Sequence, residues 1–184
     1  MSLAIAALTG VALAACAGLR VFLPLLAAGI AARWFDWPLA PSMRWLASDP
    51  ALVTFGVASV VEILADKLPV LDHALDVAQT FLAPAAGTMV AVSALGDLPT
   101  SSAVALGIIT GAPIAAGVHG IAATTRLGSS ALTLGTGNPV LSVLEDAAAT
   151  VGVVLAFVIP ALVVLAVVVL AFMVRRWRRS RRVA

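Results

Sequence analysis

Apolar runs long enough to cross a lipid bilayer, joined by short polar stretches, take up most of this chain. Crossing about 30 Å of hydrocarbon takes roughly 20 apolar residues. Leu3 to Ala32 is a 30-residue run interrupted by Arg20 and Pro24, and Pro139 to Val174 is a 36-residue run. Between them lie Pro50 to Lys67, Val77 to Leu95 and Ala103 to Ala123. With 62% hydrophobic and 11% charged residues over 184 positions, the chain lacks the polar groups needed to cover a water-facing surface. It is expected to be an all-α integral membrane protein of about five to six transmembrane or re-entrant helices. A single polytopic domain over residues 1–174 is then followed by an arginine-rich tail, 175–184.

The polar joints predict where helices start and stop. Asp49-Pro50 and Asn138-Pro139 each pair a capping side chain with a proline suited to the first helical turn. Pro69 is expected to end the second segment, with a polar connection from Val70 to Asp76. Pro84 and Gly87 weaken the third segment, and Leu127 to Asn138 has the Gly/Ser/Thr composition of a loop. Leu3 to Ala32 is either one long tilted helix or a helix followed by a broken half-helix, crossing once or twice. As one straight helix, the final run would be about 54 Å long, too much for one span. Gly152 and Pro160 are candidate breaks, which would leave residues 139–151 as a short separate or re-entrant helix.

Charge sets the expected orientation. Six of the eleven basic residues are arginines in the last ten positions, and without them the body carries a net charge of about −4. The tail therefore suits anionic lipid headgroups, and no nucleic-acid partner is expected. With the tail in the cytoplasm, Arg33 and Arg44 fall on the same side, opposite Lys67 and Arg126, as the positive-inside rule requires. The expected location is the cytoplasmic (inner) membrane, with a cytoplasmic C-terminus. The N-terminus lies outside if residues 3–32 cross once, and inside if they cross twice. Trp34, Trp37 and Trp45 form an interfacial belt beside Arg33 and Arg44. Cys16 closes a lipobox-like run, Leu13-Ala14-Ala15-Cys16. No Lys or Arg precedes that apolar stretch, so a plain helical residue is expected instead.

Ionisable groups at membrane depth cost roughly 2.5–3.5 kcal/mol each on insertion scales, so each needs a reason to be there. Arg20 is expected either to line a cavity for an anion or to hold a structural ion pair. Glu62 and Asp66 share one helix face, with Lys67 adjacent. Asp66 and Lys67 fall at the helix end as an interfacial pair. Glu62 is the best candidate for a buried carboxylate that binds protons or cations, unless it merely pairs with Arg20 or Lys67. Glu145 and Asp146 are a solvated flank if their helix is straight, and interior if it is re-entrant. His119 and Arg126 complete the candidate solute- or ion-binding set. Two scattered histidines make no metal cluster, and Gly135-Thr136-Gly137 is too short for a phosphate loop, so no metal or cofactor is expected. Without a nucleophile–base pair, an enzyme is not expected.

Small residues such as Gly107, Gly111, Gly117 and Gly120 let helices pack closely in lipid and point to a homo-oligomer. The two halves also share a weak pattern: a cation (Arg20, Arg126), a helix start before proline, then a carboxylate (Glu62, Glu145). Matched interruptions of this kind are a feature of transporters built from repeats.

Three blocks carry a family resemblance: Gly18-Leu19-Arg20-Val21-Phe22-Leu23-Pro24, Glu62-Ile63-Leu64-Ala65-Asp66-Lys67-Leu68-Pro69 with Asp72, and Ser142-Val143-Leu144-Glu145-Asp146. Together they resemble a bacterial membrane family known as domain of unknown function 4126, over roughly Ala15 to Phe157. The resemblance implies that Arg20, Glu62, Asp66, Lys67, Asp72, Glu145 and Asp146 matter together. The leading expectation is a small transporter or channel for an ion or small solute. The rivals are a protein that binds or translocates a phosphorylated lipid and a structural or assembly subunit of a membrane complex. Membrane lipids are partners in every case.

Overall fold

The computed structural model describes residues 2–67 and 69–180. In chain order they form α1 (Leu3–Leu19), α2 (Phe22–Trp34), a 3₁₀ helix (Pro41–Ala47), α3 (Asp49–Ala65), α4 (Pro69–Ala94), α5 (Thr100–Leu106), a π-helical turn (Gly107–Gly111), α6 (Ala112–Thr133) and α7 (Asn138–Ser180). No strand occurs among the described residues. Three helices are long and apolar enough to span a bilayer: Ala74–Ala94, Thr100–Thr133 and Asn138–Ile159. The 3₁₀ helix and α3, bent by 68°, make a fourth span if taken as one broken element, while α1 and α2 are shorter apolar helices. The protein is a helical, membrane-embedded one.

The central helix is α1, packed on α4, α7 and α6. Its first turns sit with Ala40, Val92, Leu95 and Ala103 through Ala6. Its last turn reaches Ser142 and Asp146 at the start of α7, through Arg20. The bundle therefore has a near end, holding the start of α1 and the α4–α5 turn, and a far end, holding the α3–α4 and α6–α7 turns. From the far end, α2 leads back to the near end. There Ala40 N–H donates to the Ser93 carbonyl at 2.9 Å, and Trp37 packs edge-on against Phe157 with centroids 5.0 Å apart. Leu3 to Ala32 is thus a helix followed by a returning half-helix, and both of its ends lie at the near end. Arg33 pairs there with Asp49 at 2.7 Å and lies over the Trp34 ring at 5.9 Å. Trp34 and Trp45 are exposed, as an interfacial belt needs.

Close backbone approach explains the small residues. A Cβ on Gly18 would stand 2.5 Å from the Ala115 carbonyl oxygen, and one on Gly87 would stand 2.6 Å from the Gly111 oxygen. Contacts this tight are how helices attract one another in lipid, where apolar surface gains nothing by leaving the solvent.

Several expected boundaries are corrected. Ser48, not Asp49, caps α3, its Oγ accepting from Ala51 N–H at 3.4 Å, while Asp49 sits in the first turn. Residues 70–76 are helical, because Pro69 opens α4 rather than closing a segment, and Pro84 is carried inside that helix. Residues 127–133 are also helical. The loop shrinks to 134–137, where Leu134 (φ 54°) and Gly135 (φ 84°) take left-handed backbone. The final helix runs unbroken for 43 residues through Gly152 and Pro160, so residues 139–151 are neither a separate nor a re-entrant piece. One reason covers these last cases: backbone in lipid must satisfy its own hydrogen bonds, and this overrides the weak helix propensity of Gly, Ser, Thr and Pro. The side chains of Asp72 and of the tail arginines, and residues 181–184, lie outside the described part.

Candidate functional site: a buried ion-pair network

The break between α1 and α2 organises the far end. Arg20 caps α1 in extended backbone (φ −139°, ψ 111°), so α1 ends and α2 begins with unpaired helical groups. Glu62 on α3 supplies the acceptors. It takes Val21 N–H at 2.7 Å, Phe22 N–H at 3.2 Å and the Gln79 side-chain N–H at 2.8 Å, and is 1% exposed. A carboxylate at the start of α2 and a guanidinium at the end of α1 each meet the helix end whose dipole favours them. Glu62 therefore caps a helix; no ion pair joins it to Arg20 or Lys67, contrary to the pairing considered from sequence.

Arg20 is fully buried. Its Nη1 donates to Asp66 Oδ2, its Nε to Asp146 Oδ1 at 2.6 Å, and its Nη2 to both the carbonyl and the hydroxyl of Ser142 at 3.2 Å. Arg126 on α6 approaches from the other side. Its Nη2 donates to Glu145 Oε2 and, at 3.0 Å, to the same Asp66 Oδ2; its Nη1 meets Asp76 Oδ1 at 3.3 Å. One oxygen of Asp66 thus receives two arginines, while its buried Oδ1 meets no donor among the described residues. Lys67, 39% exposed, closes the outer edge on Asp146 Oδ2 at 3.2 Å. Asp66 is therefore not the interfacial partner of Lys67 but the buried centre of the network.

Seven of the eight residues singled out from sequence converge here: Arg20, Glu62, Asp66, Lys67, Arg126, Glu145 and Asp146. His119 does not. It is buried two turns before Arg126, with Nε2 3.4 Å from Thr80 Oγ1. Glu145 and Asp146 are mostly buried although their helix is straight, because the ends of α1 and α3 and the body of α6 cover them. Asp76, Gln79 and Ser142 were missed. Asp76 and Gln79 sit one turn apart at the start of α4, and Ser142 one turn before Glu145, so helical spacing from the named acids would have found them. Among the described residues no three Asp, Glu, His or Cys side chains gather to hold a metal ion.

Apolar grooves flank the bundle, and one of about 510 Å³ between Phe22, Val61 and Leu75 reaches Glu62. Another of about 600 Å³ runs between α1, α6 and α7, past Thr9, Cys16 and Gly152. A third of about 290 Å³ shares Leu19, Val118 and Ala148 with that one and reaches Glu145. Chemically, the network sets two buried guanidiniums against four carboxylates and ties the ends of α1, α3, α4, α6 and α7 together.

No curated protein and no solved structure matches the chain. The model of the family described as Domain of unknown function (DUF4126) matches residues 7–179, nearly the whole length. This helical membrane protein, with its Arg20–Asp66–Arg126 network, belongs to that family.

Proposed function

We propose that the protein is a transporter or channel for an ion or small solute, with the ion-pair network as its closed far-end gate. The observation that carries this is the convergence of two buried arginines on one Asp66 oxygen, beside the break between α1 and α2. Broken helices whose ends face charged groups recur where transporters bind ions and solutes. Intramembrane charges that do no work are costly to keep. In this reading the protein is not an enzyme. Its near end, with Arg33, Arg44 and the tail arginines, faces the cytoplasm of an inner membrane. Further copies pack on the exposed small-residue face of α6, where a Cβ on Gly117 or Gly120 would meet open space.

The test is flux. Protein in liposomes under a potassium diffusion potential is assayed with an internal pH dye and a panel of labelled inorganic ions and small organic solutes. Flux above protein-free liposomes that is lost in Glu62→Gln supports the proposal. Folded, correctly inserted protein that moves none of them sinks it.

A second reading, lipid handling, is favoured by the paired grooves, which give an apolar path from α1 to the Glu145 carboxylate. A lipid retained at fixed stoichiometry in a native mass spectrum, and expelled by Ala148→Phe, would decide for it.

A further inference from the structure

The near end carries a pocket that lies apart from the ion-pair network. It holds about 320 Å³, between Ala32 in the last turn of α2, the connection from Asp36 to Leu39, and Arg44 and Ala47 on the 3₁₀ helix. Its walls are pinned. Gly29 lets the 3₁₀ helix lie against α2, because a Cβ there would run into the Leu46 carbonyl oxygen. Arg33 on α2 donates to the Ala47 carbonyl at 3.1 Å and pairs with Asp49. Trp37 N–H donates to the Ala31 carbonyl at 3.1 Å, and its ring packs on Phe157 of α7.

Two opposite charges line this pocket, Asp36 and Arg44, and they do not pair with each other. Among the described residues neither has a hydrogen-bond or ion-pair partner. Asp36 also sits against its local preferences. It follows the end of α2 in left-handed backbone (φ 51°), where glycine is usual. It sets a negative charge at the helix end whose dipole disfavours one. Strain kept without a reward inside the chain points to a role outside it. Trp34 and Phe35, just before Asp36, and Trp45, just after Arg44, are exposed, as aromatic residues at headgroup depth are.

We propose that this pocket binds the headgroup of a zwitterionic phospholipid, its phosphate on Arg44 and its ammonium on Asp36. A guanidinium holds phosphate oxygens through charge-assisted N–H bonds, and a primary ammonium donates in the same way to a carboxylate. The lipid carries both charges on one short headgroup, while its chains stay in the bilayer beside the exposed aromatics. An anionic lipid meets Arg44 but offers Asp36 no cation. The site is independent of the far-end network and of whether the protein moves a solute.

The experiment releases the full chain from nanodiscs of equal phosphatidylethanolamine and phosphatidylglycerol into a native mass spectrometer. The expected result is one phosphatidylethanolamine retained per chain, with a preference of about tenfold, the scale of one charge-assisted bond. Asp36→Gly should abolish that preference while Tm stays equal or rises, because glycine accepts the left-handed backbone. A purely structural Asp36 would not separate the two readouts. Arg44→Ala should lose the retained lipid altogether. If the unsubstituted protein retains no lipid, or shows no preference, the proposal is overturned whatever the variants do. A preference kept in Asp36→Gly but lost in Ala148→Phe puts the lipid in the far-end groove and also overturns it. So does binding of soluble phosphoethanolamine without any retained lipid, which would make the ligand a soluble one.

Discussion

The near end and the far end of this bundle are held by different forces. At the near end Ala6, Val92, Leu95 and Ala103 pack side chain to side chain, and Leu46 is fully buried under the half-helix. At the far end the same helices meet through arginines and carboxylates. An apolar contact degrades in proportion to the atoms removed. A buried charge network fails abruptly, because taking away one partner strands another. The far end is therefore where a small chemical event can have a large structural effect, and the near end is where the bundle keeps its shape.

Four changes break or sharpen that contrast. Arg20→Ala takes from buried Asp66 one of its two arginines and leaves Asp146 with Lys67 alone, and should cost about 3–5 kcal/mol, seen as loss of monodisperse protein and a large fall in Tm. Leu46→Ala, at the near end, should cost about 2–5 kcal/mol through its cavity. Unlike the change at the partly exposed Lys67 pair, its fall in Tm should not vary with salt. Arg126→Gln and Glu145→Gln should each destabilise, yet the double variant should recover about 0.5–3 kcal/mol relative to their sum. Additivity in that cycle would show that the pair is not coupled. Lys67→Ala removes a partly exposed, screened pair and should change stability by about 0–1 kcal/mol, with any effect vanishing in high salt.

Much of this was legible in the sequence, for identifiable reasons. Apolar runs located the helices, and Asn138-Pro139 marked the start of α7, although Asn138 does not cap it: its Oδ1 meets no donor among the described residues and its Nδ2 donates to Ser130 Oγ at 2.9 Å. The ionisable set was legible because a charge in an apolar run has to be explained by a partner. What the partners are was not. Arg20 and Asp146 lie 126 residues apart, and no local pattern encodes their meeting. Glu62 faces backbone amides created by a break in another helix, so its neighbours had no side-chain signal at all. Residues 127–133 looked like a loop because their composition favours one in water. The bilayer removes that option.

The span between Arg20 and Asp146 also sets an order of events during biosynthesis. Arg20 leaves the ribosome 46 residues before Asp66 and 126 before Asp146. At about 5–20 residues per second, its second carboxylate arrives roughly 6–25 s later. Through that interval the turn between α1 and α2 carries a cation with its partner set incomplete, so it is best accommodated at the water boundary or inside the insertion machinery. The hairpin gains the full partner set of Arg20 only once α7 is made, so a helix synthesised late completes the bonding of one synthesised early.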